Sequence, residues 1–332
     1  MPSLLEVDQQ KRLWPYIQIA RPDHWFKNVF MMLGVLLALF YMPSLFTSSS
    51  LLQLGGALIA TCLIASSNYV LNELLDAPQD RFHPVKKYRP VPSGRIRPML
   101  AIIEWLLLGV SGAAIAWLIN TKFLVVAGAL WGMGVAYNVP PVRTKEIPYL
   151  DVLSESVNNP IRLLLGWFAL IADRIPPVSL ILAYWMVGAF FMATKRFAEY
   201  RHINNREIAA QYRKSFRYYT EERLLVSMLF YVAMCALMTG IFIVRYHVEL
   251  IIFVPFAAGF FAYYLKLGLQ PDSPVQNPEK LFRERGFLGY MLLTTAVFIL
   301  LMFTRIPWLY SLFNIEPSQI HPLWILGTHD NP

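Results

Sequence analysis

The chain has 332 residues, of which 56% are hydrophobic and only 15% charged, and its mean hydropathy is +0.45. Soluble domains carry about 25% charged residues, so the composition excludes a soluble globular enzyme, a disordered protein and a DNA-binding module, and with them a nucleic-acid partner. In so apolar a chain, the formal charge of +8 is first a matter of membrane topology.

In chain order, the polar and mixed stretch 1–25 predicts no cleavable signal peptide. A helix needs about 20 mostly apolar residues to span a bilayer. That ruler finds nine windows, near 28–46, 51–75, 99–119, 123–140, 152–172, 177–196, 224–244, 248–266 and 286–304. Irregular backbone cannot face lipid, so the expected fold is all-α. It is a single bundle of about nine transmembrane helices with long cytoplasmic loops after helices 2 and 6. The expected organisation is a cytoplasmic segment 1–27, a transmembrane domain 28–304 and an outer aromatic tail 305–332 with Trp308, Tyr310, Phe313 and Trp324. Cys62 and Cys235 lie in apolar windows and read as small core residues. Placing the N-terminus inside puts 24 Lys and Arg on the inner side and four outside, with Arg162 within a span. This asymmetry predicts a multi-pass protein of the inner (plasma) membrane with a cytoplasmic N-terminus and an outer C-terminus.

Two predicted inner segments, 72–98 and 195–223, are too polar and too charged to be simple connectors. In the first, Asn72 and Asp76 are four apart and Glu73 and Asp76 three apart, so a helix brings them to neighbouring faces. Pro78 predicts a helix end or kink at Ala77, from which Asp80 would swing back toward Asp76 from a loop. Oxygen donors without Cys or His suit Mg²⁺, which keeps waters and bridges to substrate phosphate. Five cations follow at once: Arg81, Lys86, Lys87, Arg89 and Arg95. Acids then bases is what a metal–diphosphate site needs. Positive-inside anchors with salt-bridge partners are the plainer reading of the same cations.

The run Asn72-Glu73-x-x-Asp76-x-x-x-Asp80, followed by His-Pro-x-Lys-x-x-Arg-Pro, resembles the first aspartate-rich motif of the UbiA-type prenyltransferase superfamily. Arg21-Pro22-Asp23-His24-Trp25-Phe26-Lys27-Asn28 is similar to that family's first-helix start. Tyr137-Asn138-Val139-Pro140-Pro141-Val142-Arg143-Thr144-Lys145 is similar to the loop before its fifth helix. The resemblance implies a nine-helix membrane transferase holding a Mg²⁺-bound diphosphate. It gives Asn72, Glu73, Asp76 and Asp80 as metal ligands, with Asp76, Asp80, Lys86 and Arg89 catalytic. Lys27, Asn28, Lys87, Arg143 and Lys145 would bind substrate. The sequence departs from the family in having Glu73 where an aspartate is usual.

A second departure is larger. Where prenyl-diphosphate users carry a second aspartate cluster, this chain reads Thr194-Lys195-Arg196-Phe197-Ala198-Glu199-Tyr200, and later Tyr212-Arg213-Lys214-Ser215. That pattern is similar to the decaprenyl-phosphate phosphoribosyltransferase branch. One acidic and one cationic cluster suit a single metal–diphosphate and a further phosphate held without metal. The expectation is transfer of phosphoribose from phosphoribosyl diphosphate to a polyprenyl phosphate, with Lys195, Arg196, Glu199, Arg213 and Lys214 on the substrate. The spacing puts Arg213 and Arg217 on one helix face. The alternatives are prenyl transfer to an aromatic or other small acceptor, and a non-catalytic polyprenyl-lipid carrier. Arg162 is either a phosphate ligand or a structural partner of Asp151 or Glu155.

Overall fold

The computed structural model describes residues 13–82, 85–276, 281 and 283–315, and their regular elements are helices. Residues 1–12, His83 and Pro84 of the basic motif, and Trp324 of the aromatic tail lie outside the described residues. The chain packs as two compact units, the first reaching Thr144 and taking back Ile161–Ala172, the second holding Lys145–Pro160 and everything from Asp173 on.

In the first unit, α1 (Leu13–Tyr41) is interrupted by a 3₁₀ stretch, Pro22–Phe30, that begins after Arg21 at φ 49. Pro22 at the head of that stretch has no N–H to offer the preceding turn, which is why the break falls here. α2 runs Ser48–Asp80, capped by the Thr47 side chain on the Ser50 N–H. It continues through Pro78, so the helix end expected at Ala77 is corrected to Asp80. A proline in the last turn removes one hydrogen bond where few remain to be lost. α3 (Pro98–Ile119) and α4 (Thr121–Asn138) pack on α2. Small polar groups bind them together: Ser67 Oγ donates to the Trp105 carbonyl at 2.8 Å, Trp131 Nε1 to Ser67 Oγ at 3.1 Å, and Asn68 Nδ2 to the Leu130 carbonyl at 2.9 Å. Such bonds hold helices together where lipid supplies little hydrophobic drive.

The second unit opens with α5 (Leu150–Ser156). α6 (Asn158–Phe168) follows, with its residues from Ile161 on belonging to the first unit. The expected continuous span 152–172 is thus two short helices, because Pro160 has no N–H to bond the Ser156 carbonyl. The second unit continues with α7 (Val178–Ile203), α8 (Arg206–Tyr212), α9 (Glu221–Tyr246), α10 (Val248–Gly268), α11 (Arg285–Met302) and α12 (Pro307–Leu312). Phe190, Phe197, Phe216, Tyr219 and Tyr264 fill its core. Among the described residues, seven helices are long and apolar enough to cross a membrane: α1, α2, α3, α7, α9, α10 and α11. The expected fourth span is the helix α4, diluted by Lys122 and three glycines, and it is not one of the seven. Large side chains such as Leu107, Trp117, Leu229 and Phe230 face outward, as a lipid-embedded surface requires.

α1 and α6 touch backbone to backbone. A Cβ on Gly34 would stand 1.9 Å from the Leu163 carbonyl oxygen, and one on Gly166 2.0 Å from that of Met31. Gly34→Ala is therefore expected to cost at least the ~1–3 kcal/mol of an overpacked core. Gly55→Ala, whose methyl meets nothing within 4 Å, serves as the control. Thermal unfolding in detergent checks this, with the lowered midpoint confined to the Gly34 variant.

Candidate active site

The first unit gathers its charges at the end of α2. Asn72, Asp76 and Asp80 recur every four residues, so an uninterrupted helix keeps them along one face. Asp80 is buried and accepts from Arg89 Nη1 at 2.7 Å, with Lys86 Nζ 3.8 Å away. Asp76 accepts from Arg143 Nη2 at 3.1 Å, and Arg143 sits at φ 27, a backbone region that L-residues occupy at a cost of order 1–3 kcal/mol. Glu73 is turned to other work. Its carboxylate accepts from the Val91 N–H at 3.1 Å and pairs with Arg21 at 3.6 Å, tying α1 and the loop after α2 to the helix. Lys87 lies 5.1 Å from the Tyr88 ring. A cavity of about 370 Å³, lined by Trp14, Arg21, His24, Glu73 and Arg89 among others, opens at this end of the unit.

Within the same unit, Arg162 Nε donates to Asn28 Oδ1 at 2.9 Å, and Asn28 Nδ2 reaches Cys62 Sγ at 3.1 Å. Asn28 is buried, so its amide is spent orienting the guanidinium. Asp151 and Glu155 pair with an arginine of the second unit.

That arginine is Arg196, on the penultimate turn of α7 and 1% exposed. Its Nη2 meets Glu155 at 2.6 Å, its Nη1 meets Glu199 at 3.3 Å and its Nε meets Asp151 at 3.3 Å. Asp151 is itself saturated, accepting from Tyr219 Oη at 2.6 Å and Ser215 Oγ at 3.1 Å, with Arg213 Nη1 at 3.6 Å. Burial, with the Asp151 carboxylate next, pushes the Tyr219 phenol well up, so it stays a donor throughout the physiological range. The same oxygen accepts from the Tyr149 N–H at 2.6 Å, and Tyr149 stands at φ 65. Lys214 pairs with Glu146 at 2.7 Å. Lys195 is half-buried and makes no ion pair or hydrogen bond among the described residues. Arg213 lies in extended backbone between α8 and the 3₁₀ turn Lys214–Arg217, which corrects the expectation that it shares a helix face with Arg217.

Sequence reasoning missed Glu155, Tyr219 and Ser215 as members of this cluster. The signal for Glu155 was its four-residue spacing from Asp151. Tyr219 and Ser215 carry no such signal, since only the fold returns them to Asp151.

The family model for the UbiA prenyltransferases matches residues 28–284. The chain belongs to the UbiA prenyltransferase family. Decaprenyl-phosphate phosphoribosyltransferase of Mycobacterium tuberculosis is 31% identical over 209 residues, covering 63% of this chain and 67% of that protein. Its namesake from Corynebacterium glutamicum is 27% identical, covering 66% of each. A UbiA homolog from Archaeoglobus fulgidus, solved with DMAPP and Mg²⁺, superposes with a TM-score of 0.64 at 17% identity, covering 87% of this chain and 97% of that one. The protein is thus a UbiA-family transferase and a multi-pass membrane protein.

The donor chemistry of α2 fits the metal expected of a UbiA transferase. Among the described residues no three His, Cys, Asp or Glu side chains stand ready to hold a metal by themselves. Mg²⁺ needs only one or two carboxylates once substrate phosphates complete its shell, and Asp76 and Asp80 supply two. In the second unit, Tyr219→Phe would leave the Tyr149 N–H and an Asp151 lone pair without their partner. The expected loss is about 1–3 kcal/mol, measured as a lower unfolding midpoint with secondary structure retained.

Proposed function

We propose that this UbiA transferase moves 5-phosphoribose from phosphoribosyl diphosphate to a polyprenyl phosphate at the cytoplasmic membrane face, with Mg²⁺ as cofactor. The observation that supports it most is the second unit's cluster, where Arg196 of α7 is neutralised by acids while Lys195 beside it makes no ion pair or hydrogen bond among the described residues. A cluster so arranged offers a cation to a phosphate rather than acids to a second metal. The names of the relatives at about 30% identity point the same way.

In this reading Asp76 and Asp80, with Asn72, would hold the metal. Glu73, engaged by Arg21 and Val91, contributes only by fixing the helix end. Bound Mg²⁺ supplies charge neutralisation to the diphosphate leaving group. Lys86 and Arg89, already paired with Asp80, turn their remaining donors to phosphate oxygens, as do Lys87 and Arg143. Lys27, Lys145 and the Asn28-oriented Arg162 add positive potential for the donor's phosphates. Lys195, Arg213 and Lys214 hold the lipid phosphate, and Arg196 with Glu199 positions the end of α7. The bond between the anomeric carbon and the diphosphate oxygen breaks. An oxygen of the lipid phosphate forms the new bond to that carbon, and diphosphate leaves. The acceptor is an anion at neutral pH, so the step needs no strong general base. The positive-inside asymmetry supports a cytoplasmic site and N-terminus in the inner membrane.

Purified protein with Mg²⁺ and polyprenyl phosphate is expected to form phosphoribosylated lipid from phosphoribosyl diphosphate. Product only from a prenyl diphosphate and a phenolic acid would sink the proposal in favour of prenyl transfer. Asp76→Asn is expected to lower Mg²⁺-dependent turnover by 100-fold or more, on the order of an electrostatic catalytic contact, in a protein that still folds with its secondary structure retained. Lys195→Ala is expected to raise KM for the lipid phosphate about tenfold or more, as loss of a charge-assisted bond would, and to leave KM for the donor unchanged.

A further inference from the structure

The cavity of about 370 Å³ in the first unit lies at the start of α1, and neither Asp76 nor Asp80 is in its wall. Trp14, Ile17, Gln18 and Arg21 form one side of it, and their spacing of three and four residues sets them along one helix face. Glu73 and Arg89 face them from α2 and the loop after it. The cavity is therefore polar at its Arg21 end and apolar at its Trp14 end.

The two guanidiniums in its wall have donors to spare. Arg21 stands 3.6 Å from Glu73 and 5.8 Å from the centre of the Tyr69 ring, with no other side-chain partner among the described residues. The first distance is too long for a hydrogen bond, so the Arg21 fork is held in place without being satisfied. Arg89 gives Nη1 to Asp80 at 2.7 Å and keeps Nε and Nη2 uncommitted. The acids nearby are engaged elsewhere. Glu73 accepts from the Val91 N–H, and the Asp23 side chain, 74% exposed, lies 3.8 Å from His24. Arg21 also adopts φ 49, a conformation that a non-glycine residue keeps only where its surroundings hold it, as at ligand clamps.

Planar forks with open N–H groups match the oxygens of a phosphate. The apolar end of the cavity says which phosphate. Trp14 is 61% exposed and Ile17 50%, and both lie in the first turns of a helix long and apolar enough to cross a membrane. Tryptophan at such a helix end sits at headgroup level. We propose that this cavity binds the phosphate of an anionic membrane lipid through Arg21 and Arg89, with the lipid tail leaving over Trp14 and Ile17. The site is separate from the phosphoribosyl transfer proposed above and does not rest on it.

Native mass spectrometry of the full chain, released from detergent micelles holding equal amounts of phosphatidylglycerol and phosphatidylcholine, counts the lipid that stays bound. The parent protein is expected to retain phosphatidylglycerol in preference to phosphatidylcholine by about tenfold, the scale of a charge-assisted contact. Arg21→Gln should remove most of that preference, and Arg21→Lys should keep part of it. Arg97→Gln, an exposed cation at the head of α3, should leave it unchanged. A preference that survives Arg21→Gln overturns the proposal, as does an equal loss in Arg97→Gln, which would mean diffuse attraction to the basic face. Displacement of the lipid by an equal concentration of inorganic phosphate would overturn the lipid as ligand in favour of a free anion. Should Arg21→Gln not elute as a single species, Trp14→Ala at the exposed rim decides, with retention expected to fall severalfold and an unchanged value counting against the site. Lipid counts do not depend on turnover, so failure of the phosphoribosyl assay would sink the proposed reaction while leaving this result readable.

Discussion

In a chain of membrane-spanning helices a buried charge costs several kcal/mol unless another charge and good hydrogen bonds repay it. The helix ends are organised about that cost. Asp80 is met by Arg89 and Lys86, Asp76 by Arg143, Glu73 by Arg21, and Arg196 by three acids. Each pairing also fixes a segment that the backbone alone would leave loose. Glu73 holds the turn at Val91. Asp76 holds Arg143 in its left-handed conformation, and Tyr219, bonded to Asp151, holds the Tyr149 N–H. Charge compensation and loop positioning are one device here, which is why the strained residues of 139–149 sit beside acids.

The parts of this arrangement that follow from local periodicity were legible in the sequence. The face carrying Asn72, Asp76 and Asp80 is a matter of four-residue spacing, and the apolar windows found α2, α3, α7, α9, α10 and α11 with small errors at their ends. Pro78 misled because the rule for a proline speaks to the residue before it, and a last turn with two further helical residues tolerates the missing bond. The break at Val157 was hidden by its apolar neighbours, although Asn158-Asn159-Pro160 is a turn signal. Ion partners far apart in the sequence were not legible. Spacing says which face an arginine shares with its own helix, and Arg196 finds Asp151 45 residues away.

Glu73 shows how the same limit applies to a single position. Its residue type is compatible with metal binding, and its place in the motif beside Asn72 recommends it. Its carboxylate nonetheless turns to Arg21 and to the backbone of Val91. The one extra methylene relative to aspartate lengthens its reach toward those two groups. A motif fixes which side chains leave the helix at which angle, and the packing around it decides what each one touches.

Lys195 and Arg196 carry this to its conclusion. Adjacent residues on an α-helix point about 100° apart, so two neighbouring cations at one helix end must meet different surroundings. Arg196 points inward, where its planar fork offers separate nitrogens to three carboxylates, something a compact ammonium does poorly. Lys195 is left half-buried with no protein partner among the described residues. Its long stem lets an ammonium rise to the level of a phosphate headgroup. Reversing the two would put a guanidinium at the surface and, among the acids, a compact ammonium that matches three carboxylates poorly. The order Lys-Arg is thus set by electrostatics: the residue that can satisfy three acids is buried, and the one that needs only a single anion is left to find it.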